Sequence, residues 1–129
     1  MHSKDAADTY RQASIENAPP VKIVRLLYEG AVRALDRAQH ADPSKGSSGF
    51  IQSLAKADAI VSELRASLDH AAGAEISRDL DRLYVFVQDR IAKAITQREK
   101  EPIGEARTVL AKLLDGWKAI EIDAHPTAS

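Results

Sequence analysis

The 129-residue chain contains no cysteine. That excludes disulfides and thiolate metal sites and fits a reducing compartment. No run approaches the ~18 apolar residues of a membrane span. The opening stretch, MHSKDAADTY, has no apolar h-region. The sequence therefore predicts neither signal peptide nor membrane span, and a cytoplasmic location. A basic surplus is missing too: 18 Lys and Arg stand against 19 Asp and Glu, a formal net charge of -1. A nucleic-acid grip normally shows as clustered positive charge, so no nucleic acid is expected as a partner. Strand signals are nearly absent, with no alternating β-branched runs and no Asn-Gly hairpin turns.

Signatures of chemistry are equally scarce. The four histidines are His2, His40, His70 and His125, and no Glu-x-x-His occurs, so the di-iron bundle motif is missing. Asp36 and His40 lie one helical turn apart, as do Glu121 and His125, but two ligands do not make a metal site. No Gly-x-x-x-x-Gly-Lys-Ser/Thr, Gly-x-Gly-x-x-Gly or Gly-x-Ser-x-Gly is present. The carboxylates are spread among Lys and Arg, the pattern of a solvated surface. No catalytic residue, cofactor or metal is expected.

What the chain does have is helical periodicity, in four segments. The first runs from about Pro20 to Ala41 with a stripe of Val24, Leu27, Ala31, Leu35 and Ala38. Pro19 and Pro20 suit its opening turn, and Asn17 is a candidate cap. After the break at Asp42-Pro43-Ser44-Lys45-Gly46-Ser47-Ser48-Gly49, a second segment spans Phe50 to Ala72. Its stripe is Ile51, Leu54, Ala57, Val61, Leu64 and Leu68, and Gly73 is read as its stop. A third, Glu75 to Arg98, carries Ile76, Leu80, Leu83, Val87, Ile91 and Ala94. A fourth, Ile103 to Ile122, carries Ile103, Ala106, Leu110, Leu113, Trp117 and Ile120. Short connections make sequential helices antiparallel neighbours. The predicted fold is all-α: an antiparallel up-down four-helix bundle over 18–122. A short N-terminal capping segment, 1–17, precedes it and a disordered tail, 123–129, follows.

A bundle helix usually hides one apolar face, and this chain has more. Leu83-Tyr84-Val85-Phe86-Val87 is apolar all round, with Val85 and Phe86 off the Val87 stripe. Leu26 points away from the Val24 stripe, Ile23 lies to its side, and Ile60 is a milder case. Such a surplus calls for a second thing to pack against: residues 1–17, another subunit or a partner. Residues 1–17 carry Tyr10 and Ile15 on a segment too short to fold alone, which suits a displaceable lid over that surface.

Several strings also resemble a known family. Tyr10 is followed by Ser14-Ile15-Glu16-Asn17-Ala18-Pro19-Pro20 and then by Ile23-Val24-Arg25-Leu26-Leu27-Tyr28-Glu29-Gly30-Ala31. Lys56-Ala57, Ile60-Val61, Leu64-Arg65-Ala66-Ser67-Leu68-Asp69, Gly73-Ala74-Glu75-Ile76, Leu83-Tyr84 and Trp117 come in order behind them. Together they resemble the FliS family of flagellin export chaperones over residues 10 to about 118. Glu29 stands where that family has Asp, Ala74 for a second Gly, Val85-Phe86 for Asp-Tyr, and Pro19 where Ser is common. The resemblance implies a chaperone, a monomer when free, that binds the disordered C-terminal segment of flagellin in an apolar groove. It further implies that premature polymerisation is prevented and that the client is delivered to a component of the flagellar export gate. The partner-binding residues expected on this reading are Tyr10, Ile15, Ile23, Leu26, Ile60, Val85 and Phe86.

Two rival readings differ in kind. A histidine phosphotransfer domain is also a four-helix bundle, but it needs an exposed mid-helix His closely followed by Lys-Gly. His40 and His70 both fall at predicted helix ends and precede other residues. A self-associating structural bundle would instead use Leu26, Val85 and Phe86 as its own interface.

Overall fold

Apolar residues spaced by three and four wind into four helices in the computed structural model, which describes residues 21–68 and 74–124, with side chains to 121. The helices are α1 (Val21–His40), α2 (Phe50–Ala66), α3 (Ala74–Gln97) and α4 (Glu101–Ala124). A single 3-10 turn, Gly46–Ser48, leads into α2. Each helix packs against two neighbours: α1 against α2 and α4, and α3 against the same two. The backbones of α1 and α3, and of α2 and α4, stay apart on the diagonals. This is the cyclic antiparallel bundle expected from the short connections.

Local chemistry explains where the helices start and stop. Gly49 has φ of +86°, a left-handed conformation that ends the 3-10 turn and opens α2 at once. Nothing lies within 4 Å of where a Cβ would sit on Gly49, so only backbone strain resists a side chain there. Gly49→Ala should therefore destabilise by ~1–2 kcal/mol without repacking anything, measurable by urea denaturation. Beside it, Asp42 accepts hydrogen bonds from the Ser44 hydroxyl (2.7 Å) and backbone N–H (2.9 Å). These bonds, the hydroxyl first, hold its carboxyl below the ordinary carboxylate range. At the far end of α3, Arg98 takes φ of +54° and the Glu99 N–H reaches back to the Ala94 carbonyl, a Schellman-type stop. Pro102 then falls in the first turn of α4, where its missing N–H costs nothing.

The end of α2 departs from the sequence reading. The predicted helix to Ala72 stops at Ala66. The Ser67 hydroxyl donates to the Leu64 carbonyl at 2.8 Å, and the Leu68 N–H turns to Arg65, so i→i+3 bonds tighten and close the last turn. The expected stop at Gly73 lies outside the described residues. The fourth helix runs two residues beyond its predicted end, to Ala124.

The core follows three of the four stripes with small changes of phase. Val24, Ala31, Leu35 and Ala38 are buried on α1, but Tyr28 and Ala34 join them and Leu27 is only half-buried. Phe50 replaces Ile51 at the start of the α2 stripe, and Leu68 is half-buried. The α4 stripe is buried as read, with Leu114 added. On α3, Tyr84 is buried where Leu83 was expected, and Leu83 is exposed. The centre of the core is aromatic: the Tyr28 ring lies 6.2 Å from both Tyr84 and Trp117, in tilted packing. The Tyr28 and Tyr84 hydroxyls meet at 2.5 Å across the α1–α3 diagonal.

Candidate functional site

Among the described residues, charged side chains bridge three of the four seams and thereby mark which flank of each helix faces which neighbour. Arg25 pairs with Glu121, and Asp36 with Arg107 at 2.6 Å, so those residues define the α4-ward flank of α1. Arg65 binds Asp81 at 2.7 Å and Gln88 at 3.0 Å, tying α2 to α3. Arg90 reaches Glu105 at 3.6 Å across the α3–α4 seam. The acids hold the guanidinium groups of Arg25, Arg65 and Arg90 above their ordinary pKa, chiefly through the hydrogen bonds that these groups donate to Glu121, Asp81 and Asp89 respectively. Part-exposed pairs of this kind orient helices more than they stabilise them.

The α1–α2 seam is closed differently. Gly30 faces Ile60, and a Cβ on Gly30 would lie 3.3 Å from the Ile60 Cδ1, so the missing side chain lets the two helices approach. Ile23, Leu26 and Gly30 follow at steps of three and four, which keeps them on the same α2-ward flank. Ile23, Leu26 and Ile60 thus share the α1–α2 seam. Ile60 is half-buried there, whereas Ile23 and Leu26 are exposed.

The other predicted residues do not join them. Phe86 lies on the α4-ward flank of α3, with the Arg90 guanidinium 5.6 Å from its ring centroid, a cation–π contact. Leu83, one turn back, shares that flank and forms a second patch with Phe86. Val85 sits on the opposite flank with Asp81 and Gln88, toward α2. Tyr10 and Ile15 lie outside the described residues. Leu83 was missed because its spacing from Leu80 and Val87 fits the core stripe. Arg90 was missed as well, although its i+4 spacing from Phe86 was visible.

Ile23, Leu26, Leu83, Val85 and Phe86 are 37% to 48% exposed, although the core beneath them is filled. They occupy three separate seams of the bundle. Two patches sit on opposite corners, on the order of 20 Å apart by ordinary helix spacing. One rigid globular partner of modest size meets a single corner. A flexible chain reaches both: at ~3.3 Å per residue, about 10–15 extended residues follow the outside of the bundle from one patch to the other. The arrangement suits a long segment that wraps.

Among the described residues no helix is long and apolar enough to cross a membrane. Residues 3–124 match the protein family described as Flagellar protein FliS. The chain is 31% identical over 129 residues to the flagellar secretion chaperone FliSB of Pseudomonas aeruginosa, covering 93% of this chain and 98% of the relative. It is 30% identical over 130 residues to the flagellar secretion chaperone FliS of Salmonella typhimurium, covering 93% of each. The FliS protein of Bacillus subtilis, also named a flagellar secretion chaperone, is 24% identical over 109 residues.

Proposed function

The chain belongs to the FliS family of flagellar secretion chaperones, and from that premise we propose that it binds the disordered C-terminal segment of flagellin along its outer apolar seams. The family consists of chaperones, not enzymes. The observation that carries the finer reading is the distribution of the exposed apolar residues: Ile23 and Leu26 at one corner, Leu83 and Phe86 at the opposite one. A segment that is unfolded before assembly can follow such a path in extended and helical pieces, gaining affinity from buried area without any reactive group. Burial of ~1,000–3,000 Å² offsets the cost of ordering it. Held in this way, the segment cannot pair with other flagellin chains, and the complex can be delivered from the cytoplasm to a component of the flagellar export gate.

Residues 1–17 complete the proposal as a capping segment. Tyr10 and Ile15 are its two sizeable apolar side chains, suited to covering part of the same surface while the client is absent. Burying the Tyr10 ring contributes ~1.5–3 kcal/mol, and ordering only two residues at ~1–2 kcal/mol each offsets that, so the cap is easily displaced. Calorimetric titration with the C-terminal segment of flagellin from the same organism tests both statements. The full chain should bind it stoichiometrically as a monomer. The chain lacking residues 1–15 should stay folded, bind more of an apolar dye, and bind the client equally or more tightly. No binding by the full chain sinks the client assignment. Markedly weaker binding by the shortened chain alone would make Tyr10 a client contact and remove the lid.

A further inference from the structure

A helix with apolar side chains on every side has no unique way to face a core. In α3 the run Leu83-Tyr84-Val85-Phe86-Val87 leaves the hydrophobic effect nearly indifferent to small rotations about the helix axis. One packing buries Ile76, Leu80, Leu83, Val87, Ile91 and Ala94. The observed one takes in Ser77 and Tyr84 and puts Leu83 outside. At ~100° per residue the two differ by a rotation of only roughly 30°. Apolar area alone does not explain why a hydroxyl-bearing Tyr84 and a buried Ser77 are preferred to leucine.

We propose that the buried hydroxyl pair of Tyr28 and Tyr84 sets the rotational register of α3 and so decides which of its apolar side chains are presented outward. The two helices make no backbone contact, being diagonal in the bundle, yet their hydroxyls meet at 2.5 Å in its centre. Polar contacts of α3 across its seams, Arg65 with Asp81 and Gln88, Gln88 with Ser62, and Arg90 with Glu105, lie toward the rim, where water replaces a bond that a small rotation breaks. A bond between two short, fully enclosed aromatic arms has no such replacement. In the low-dielectric core, the observed register, which turns Leu83 and Phe86 to the surface, brings the Tyr84 hydroxyl to the Tyr28 hydroxyl across the diagonal. The pair acts as a selector between packings, a use of buried polarity distinct from net stabilisation. Tyr28 and Tyr84 are therefore positioning residues, buried beneath the surface that they orient.

The absence of native cysteine makes a direct test possible, because a single introduced thiol reports one position. Ser77→Cys and Val87→Cys are placed separately in the full chain and in a Tyr28→Phe/Tyr84→Phe background, which keeps both rings and removes both hydroxyls. Reaction rates with a maleimide are compared under native conditions. Rotation toward the alternative register carries position 77 to the edge of the core and leaves position 87 inside. The ratio of the Ser77→Cys rate to the Val87→Cys rate should rise about fivefold in the double-phenylalanine background, the change expected for losing one net neutral hydrogen bond. Meanwhile Leu83→Cys should not become more reactive. An unchanged ratio overturns the proposal, and so does a parallel rise at both buried positions, which reports general loosening. Failure of the double-phenylalanine chain to fold overturns it as well, because a selector between packings is not required for folding.

Discussion

Leu54→Ala should cost ~2–5 kcal/mol of stability, a large part of the ~5–15 kcal/mol that holds a domain of this size together. Leu54 is fully buried on α2, and a close-packed core cannot collapse freely into the space that the truncation leaves. Leu68→Ala offers the contrast. The sequence puts Leu68 on the same stripe as Leu54, and the structure leaves it half-buried beyond the end of α2. Half the burial gives about half the transfer energy, so a loss of roughly 1 kcal/mol is expected there. The single tryptophan, Trp117, is buried in the core and reports both transitions by fluorescence during urea denaturation. A lower midpoint at unchanged slope identifies a pure stability effect. Equal losses at the two leucines would mean that the last turn of α2 is as firmly packed as its middle.

That contrast also shows what kind of information the sequence carries. Stripes with polar residues on their far side read correctly: Leu54, Ala57, Val61 and Leu64 on α2, and the whole of Ile103 to Ile120 on α4, are buried where their spacing puts them. Periodicity fails where polarity does not break the symmetry of the helix. Leu83 and Tyr84 both fit the spacing between Leu80 and Val87, and the hydroxyl partner of Tyr84 lies 56 residues away on a helix whose backbone α3 does not approach. No local pattern contains that partner. The early end of α2 was hidden for a different reason, since Ser67 stops the helix through a bond to its own backbone that a serine makes in some contexts and not in others.

The candidate surface was legible as a list of residues and illegible as a shape. Leu26, Ile23, Val85 and Phe86 were correctly read as lying off the core stripes, because that judgement needs only the phase within one helix. Which of them share a seam depends on the order of helices around the bundle and on which flank faces which neighbour. The ion pairs of Arg25, Arg65 and Arg90 mark that arrangement, and each joins residues on different helices, beyond the reach of periodicity within one helix. The division into two opposite corners changes what the partner must be. A single groove suits many binding modules, whereas separated corners suit a segment long enough to pass between them.

Leu26→Asp should leave the bundle folded and weaken binding of the flagellin segment by on the order of a hundredfold. Leu26 is 44% exposed, so its replacement opens no cavity, and the new carboxylate lies one turn from Lys22. Against that stands a helix-propensity loss of ~0.5 kcal/mol, too small to threaten the fold. On the client side, a carboxylate closed into an apolar contact without a partner costs at least the ~2.7 kcal/mol that a hundredfold represents. Leu26→Asn separates the terms, since it keeps nearly the same shape as the aspartate without the charge and should weaken binding less. Phe86→Asp probes the opposite corner. If one client segment spans both patches, each substitution weakens binding alone, and their effects add in the double variant because the sites share no neighbour. Loss of the circular dichroism signal in Leu26→Asp would put that residue in the core and overturn the assigned phase of α1. Unchanged affinity with an intact fold would remove the α1–α2 seam from the path, and an effect at Leu26 with none at Phe86 would confine the client to one corner.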